Sequence, residues 1–299
     1  MTNRSKAVAH GLAAVAIWST VASAFKLSLR HLDPLQLLLL ASAASLVALG
    51  GVLLAKGRLA LAARVRGREL LRCALLGALN PFLYYVILFK SYALLPAQEA
   101  QPLNYTWAIT LSLLSVPLLG QKLRARDLAA ILVSYLGVLV ISTHGDPLGL
   151  RFSDPLGVGL ALGSTLIWAL YWLINTKSEL DPVVGLFLNF LFGLPLILAA
   201  TCIFSEPPAL TFPALLGGAY VGLFEMGLTF ALWLSAMKHA ALPDGGGTAR
   251  VANLIFLSPF LSLVFIHFLA GETILPATVA GLAFIVAGNA IMQYKGRKA

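Results

Sequence analysis

The chain has 299 residues, of which 59% are hydrophobic and only 11% charged, and it carries a formal net charge of +9. Soluble domains carry about 25% charged residues, so a water-facing surface cannot be built from this composition. A cytosolic enzyme, a disordered chain and a nucleic-acid-binding domain are excluded on that ground, and the expected class is an all-α polytopic membrane protein.

A membrane-spanning helix needs about 20 mostly apolar residues. Ten such segments are expected in chain order, near 8–29, 35–55, 70–95, 103–119, 128–143, 156–175, 183–204, 213–236, 251–270 and 275–293. Turn chemistry separates them: Asp33-Pro34, Gly57, Pro96 to Pro102, Arg124 to Asp127, Asp146-Pro147, Asp181-Pro182, Pro207-Pro208, Pro243 to Gly247 and Gly271 to Pro276. Ala22-Ser23-Ala24 resembles a signal-cleavage site, but the first segment has a counterpart later in the chain, which argues for a retained span.

Basic residues set orientation. With the N-terminus in the cytoplasm, seventeen of the 21 Lys and Arg residues fall in inside loops and tails, and only Arg30 and Arg151 fall outside. Lys26 and Lys90 lie within segments. Both termini are expected in the cytoplasm. The basic run Arg64 to Arg72 reads as a topology anchor that also faces anionic lipid head groups.

The chain repeats itself. Ile17-Trp18 with Leu32-Asp33-Pro34 returns as Ile167-Trp168 with Leu180-Asp181-Pro182. Leu75 to Ala78 returns as Leu215 to Gly218, and Gly120-Gln121-Lys122-Leu123 returns as Gly271-Glu272-Thr273-Ile274, with Gly137 and Gly288 each 17 residues beyond the glycine. The order is kept and the spacing nearly constant, so two five-helix halves are expected, 1–148 and 149–299. Five is odd, so the second half enters the membrane from the opposite side, the inverted arrangement used in alternating access.

These features resemble the drug/metabolite transporter superfamily, specifically EamA-type carriers: ten short helices, two five-helix halves, the Gly-Gln/Glu-x-hydrophobic corner and the later glycine. Asn104-Tyr105-Thr106-Trp107 is similar to the motif of the YddG-type aromatic amino acid exporters, with a departure at Ala108, where those exporters tend to have proline. The resemblance implies a carrier of the cell inner membrane, not an enzyme. It would export amino acids, aromatic and other neutral ones, or related metabolites, by facilitated or proton-linked movement.

Ionisable groups at bilayer depth are costly and mark function by default. Glu225 lies at the centre of the eighth segment, where a carboxylate must face a cavity, meet a cation or take a proton; a substrate ammonium or a coupling proton would satisfy it. The alternative is a packing carboxyl. Gapless alignment of segments three and eight sets Tyr85 opposite Glu225. Lys90 is expected to snorkel outward, with attraction of a substrate carboxylate as the alternative, Lys26 is expected to snorkel as well, and Glu99 is expected in an outer loop. Asn80-Pro81 and Ser258-Pro259 interrupt their helices and free carbonyls toward a cavity. Trp18 and Trp168 hold matching mid-helix positions and, with Tyr84, Tyr85, Asn104, Tyr105 and Trp107, are expected to form aromatic and polar pocket walls. Trp172 and Trp233 look like belt residues.

No nucleotide-binding loop is present, and Gly245-Gly246-Gly247-Thr248 reads as a hinge. His10, His31, His144, His239 and His267 make no metal spacing, and Cys73 and Cys202 make no disulfide framework, so no cofactor is expected. The expected partners are a small-molecule substrate, lipids and, where coupling exists, protons. Two alternatives stay open: a carrier of this fold for purines, nucleotide sugars or organic cations, and a membrane-embedded lipid enzyme or scramblase. With Glu225 as the one charge expected near the midplane, ammonium-bearing or neutral substrates are favoured.

Overall fold

Helix α1 (Asn3–Ser28) opens the chain in a computed structural model that describes residues 2–107, 109–110, 113–114, 125–149, 152–175, 178, 180–242, 244, 254 and 257–293. After α1 come α2 (Pro34–Ala55), α3 (Gly67–Leu94) and α4 (Ala97–Asn104). Then follow α5 (Ala125–Ser142), α6 (Pro155–Asn175), α7 (Pro182–Phe204), α8 (212–241), α9 (Leu257–Ala270) and α10 (Pro276–Gln293). No strand occurs among the described residues. By length and apolarity, α1, α2, α3, α7 and the 212–230 part of α8 can cross a membrane, and shorter apolar stretches occupy α5, α6, α9 and α10.

The repeated Leu-Asp-Pro motifs do the same local work twice. Asp33 accepts from the backbone N–H groups of Leu35 and Gln36 at 2.8 and 2.9 Å, and Pro34 takes the first helical position, where no N–H is needed. Asp181 accepts from Val183 and Val184 at 2.9 and 3.3 Å, with Pro182 in the matching place. Each cap takes a partner from just beyond the other's helix: Ser205, after α7, donates to Asp33, and Arg58, after α2, pairs with Asp181 at 2.7 Å.

The packing repeats as well. Helix α1 lies against α8 and α9, and α6 against α3 and α4; α2 lies along α7, and α5 along α10. Exchanging the first five helices with the second five leaves this pattern unchanged. On α5 and α10 the exchange works residue by residue. Gly137 closes on the backbone of Gly281, and its counterpart Gly288 closes on that of Ala130, the counterpart of Gly281; Ser134 donates to the Ile285 carbonyl between them at 3.4 Å. Partners fall in number on α10 as they rise on α5, so the two helices run antiparallel. Glycine permits this approach, because a Cβ on Gly281 would lie 2.5 Å from the Gly137 carbonyl oxygen.

Helices α3 and α8 each loosen midway into a π-helical turn, at Ala78–Leu83 and Val221–Gly227. In α3 the cause is Asn80, extended at φ −148° and ψ 117°, followed by Pro81, which has no N–H. In α8, glycines 222 and 227 bound the turn, and the Thr229 hydroxyl donates to the Phe224 carbonyl. Such turns concentrate at functional sites.

One expected break is filled. Residues 96–102, read as a connection, form the start of α4, with Pro96 before its first turn and Pro102 within it. Much of the fourth segment, the corner Gly120 to Leu123, Arg151 and the loop Gly245 to Thr248 lie outside the described residues.

Candidate functional site

The two π-helical turns bring their helices' polar residues together. Tyr85, on α3 just past the first turn, donates its hydroxyl to Glu225 Oε1 in the second at 3.1 Å. Glu225 lies among the helices and is half-buried. Tyr105 has the same character. No ion pair to Glu225 occurs among the described residues, and Tyr85 is its one side-chain hydrogen-bond partner there.

Aromatic rings form the layer around this carboxylate. Tyr84 stacks on Trp168 with ring centres 4.6 Å apart and packs edge-on against Tyr85 at 4.7 Å. Trp168 continues to Tyr171 at 5.9 Å and to Phe230 at 5.9 Å. Phe230 also meets Trp18 at 6.1 Å, so the symmetric tryptophans of α1 and α6 flank one phenylalanine of α8. Tyr84, Tyr85 and Trp168 are buried, which makes them the supporting wall; Trp18 and Trp107 are half-buried against the same apolar cluster.

A polar chain runs along α4. The Tyr84 hydroxyl donates to Asn104 Oδ1 at 3.3 Å, and Asn104 Nδ2 donates to Ser164 Oγ at 2.9 Å. The Tyr105 hydroxyl donates to Ser258 Oγ at 2.9 Å. Gln101 Nε2 donates to Ser262 Oγ at 2.7 Å, which in turn donates to the Ser19 carbonyl at 2.7 Å. Asn80 is buried beside this wall, its side chain reaching the Tyr171 hydroxyl, and its Oδ1 has no partner. Nine of the ten expected site residues are thereby tied to one another by rings or short hydrogen-bond chains, or lie on neighbouring turns. Trp107 contacts the cluster without a polar partner.

Sequence reading missed the outer end of this assembly. Lys26 does not snorkel freely: its ammonium donates to the carbonyls of Tyr92 and Leu95 at 2.9 Å each, closing the C-terminus of α3. Lys90 is exposed, as snorkelling requires. Glu99 is not in a loop. It sits in the first turn of α4, 1% exposed, held by His144 at 2.8 Å and by the Ser153 hydroxyl. Glu272 of the repeated corner accepts from the N–H groups of Ala97 and Gln98 at 2.8 and 3.2 Å, capping α4 from the α9–α10 turn. Gly271, at φ 75°, ends α9 in the left-handed conformation that frees this turn to reach back. Trp233, expected in an interfacial belt, meets Trp18 at 5.3 Å. The side chain of Trp172 lies outside the described residues.

The family model of the EamA-like transporters matches twice, over residues 5–143 and 155–294. The chain belongs to the EamA-like transporter family. It is similar to an uncharacterised transporter of Clostridium kluyveri, 26% identical over 244 residues that cover 79% of this chain and 76% of the relative. It is also similar to the uncharacterised transporter YvbV of Bacillus subtilis, 25% identical over 254 residues covering 83% and 80%. A solved crystal structure shares the fold at a TM-score of 0.69, with 22% identity and 96% of each chain covered. In this EamA-like transporter the two matched stretches coincide with the two sets of helices that the packing exchanges. The families and relatives named are transporters, which are not enzymes, and the setting is a membrane with a small-molecule cargo.

Proposed function

We propose that the protein is a secondary carrier with ten spans in two inverted halves, 1–148 and 149–299, which exports ammonium-bearing metabolites across the cell inner membrane by alternating access. Amino acids, aromatic and other neutral ones, are the first substrate class, as the YddG-like motif implies. The observation that carries the reading is Glu225: a carboxylate deep among the helices, without a cation, beside stacked aromatic rings and bonded to its own counterpart in the other half. A substrate ammonium supplies the missing charge, and the rings receive an apolar or aromatic body. A proton on Glu225 in the empty carrier would serve the same need and couple transport to a pH gradient.

The antiparallel run of α5 and α10 supports inversion, and the exchangeable packing supports two states of similar energy. Nucleotide sugars and other phosphates would call for basic residues around the site, and the described residues near Glu225 supply none. Organic cations are the second reading, favoured by the same lack of a positive charge. Flux of a labelled amino acid and amine panel into protein-containing liposomes, with and without a pH gradient, tests the proposal. Flux no greater than in empty liposomes for every amine and amino acid would overturn it.

A further inference from the structure

Resting on the reading of Glu225 as the substrate site, we infer that, within the ammonium-bearing class, the site binds aromatic amines that lack a carboxylate more tightly than the matching amino acids. The polar groups around the site are unevenly spent. The phenol donors are engaged: Tyr84 gives to Asn104, Tyr85 to Glu225 and Tyr105 to Ser258, and the amide nitrogens of Asn104 and Gln101 each give to a serine, Ser164 and Ser262. Acceptors are left over. Asn80 Oδ1 and Gln101 Oε1 are buried with no partner, and Glu225 keeps one carboxylate oxygen unbonded among the described residues. Neutral hydroxyls such as Ser23 remain, and no cation pairs with Glu225 among the described residues. Lys26 is held by two carbonyls at the C-terminus of α3, and Lys90 is exposed.

An entering ammonium has up to three N–H donors and meets this surplus of acceptors. An entering carboxylate needs a positive charge, which the described residues near Glu225 do not supply, while Glu225 repels it. Burying a charge without a partner is costly, so the same side chain should bind far better without the carboxylate than with it. The Tyr84–Trp168 stack and the rings of Phe230 and Trp18 suit a flat body, and a cation beside aromatic faces gains further attraction. Phenylalanine and phenethylamine differ by the carboxylate alone and therefore isolate the question.

The test is equilibrium binding of radiolabelled phenethylamine, phenylalanine and phenylacetate to the full-length protein in lipid nanodiscs, repeated with Glu225→Gln, alongside a thermal melt of each. The expected result is phenethylamine binding at least about tenfold tighter than phenylalanine, phenylacetate not binding, and Glu225→Gln losing at least about tenfold for the amine at an unchanged melting temperature. Phenylalanine binding as tightly as the amine, with both weakened by Glu225→Gln, would overturn the inference while leaving the carrier site standing. Binding of none of the three, with no flux of any panel member in liposomes, would overturn the site and the inference together. Amine binding unaffected by Glu225→Gln in a folded variant would refute the role given to the carboxylate.

Discussion

Tyr85 and Glu225 hold the same place in the two halves of the chain, and they are hydrogen-bonded to each other at 3.1 Å. In the proposed inverted arrangement, two positions exchanged by a twofold rotation can touch only on its axis, so this bond would mark where the halves meet. The packing is symmetric there but the chemistry is not: one half supplies a phenol and the other an acid. Under the proposed function, a carrier built this way would keep the mechanical benefit of two matched halves and still present a single charge to its cargo.

Glu225→Gln should leave the fold intact and abolish most transport. The amide keeps the shape and can still accept from Tyr85, so the melting temperature should change by no more than that of a surface substitution. It can neither pair with an ammonium nor exchange a proton. Loss of a buried charge partner is worth about 3–5 kcal/mol, with each 1.4 kcal/mol a factor of about ten, so a loss of tenfold or more is a conservative expectation. Parental flux with unchanged pH dependence would make Glu225 a packing residue.

The α5–α10 crossing should be the least tolerant of added volume. A Cβ on Gly137 would press on the Gly281 carbonyl and on Phe284 and Ile285, and one on Gly281 would press on Ile141. Overpacking typically costs about 1–3 kcal/mol, so Gly137→Val or Gly281→Val should lower the melting temperature and the yield of folded protein. Gly159 and Gly163 have nothing within 4 Å of a built Cβ, so Gly163→Ala should be neutral in the same melt. Equal losses at both places would show that the crossing is not a close contact.

The fold was legible to the extent that local chemistry repeats. The Asp-Pro motifs announced the caps of α2 and α7 because a carboxylate before a proline can do little else at a helix start. Gly137 and Gly288 were visible as a pair, but their contacts with Gly281 and Ala130 were not, since spacing does not say which faces meet. At the site, the alignment set Tyr85 opposite Glu225, which the structure finds hydrogen-bonded, and the tryptophan pair pointed to α1 and α6. Glu99 was misplaced because its burial depends on His144 and Ser153, 45 and 54 residues away. Lys26 was misread for the same reason: the carbonyls it meets end a different helix. Glu272 stood in a recognised corner, but nothing local showed that it caps α4.

That cap supports a prediction of its own. The Glu272 carboxylate takes the N–H groups of Ala97 and Gln98, and Gln98 returns the contact, donating to the Thr273 carbonyl at 2.9 Å and accepting from Leu275 N–H and the Thr278 hydroxyl at 2.9 and 3.0 Å. Loss of a helix cap costs about 1 kcal/mol, so Glu272→Ala should lower the melting temperature by a few degrees, and Glu272→Gln, which can still accept, by less. With Gln98→Ala added, the two losses should not sum, because the residues share one network. Additive losses would mean that the two contacts are independent.

The orientation prediction rests on charge rather than contacts. From seventeen basic residues against two, the expected outcome is both termini in the cytoplasm and the α5–α6 connection outside. Leu148, on that connection, is 93% exposed and makes a clean reporter. The native cysteines must first be removed, because Cys202 is exposed while Cys73 is buried. In a Cys73→Ser, Cys202→Ser background, Leu148→Cys should react with a membrane-impermeant maleimide in intact cells. Thr2→Cys and Lys298→Cys should react only after the membrane is opened. An even number of spans puts both termini on one side, so these two must agree: labelling of one terminus alone would rule out ten spans, and labelling of both from outside would reverse the orientation. Reversal would also turn the capped end of α4, with Glu272, Glu99 and His144, toward the cytoplasm, and the direction of transport would have to be measured afresh.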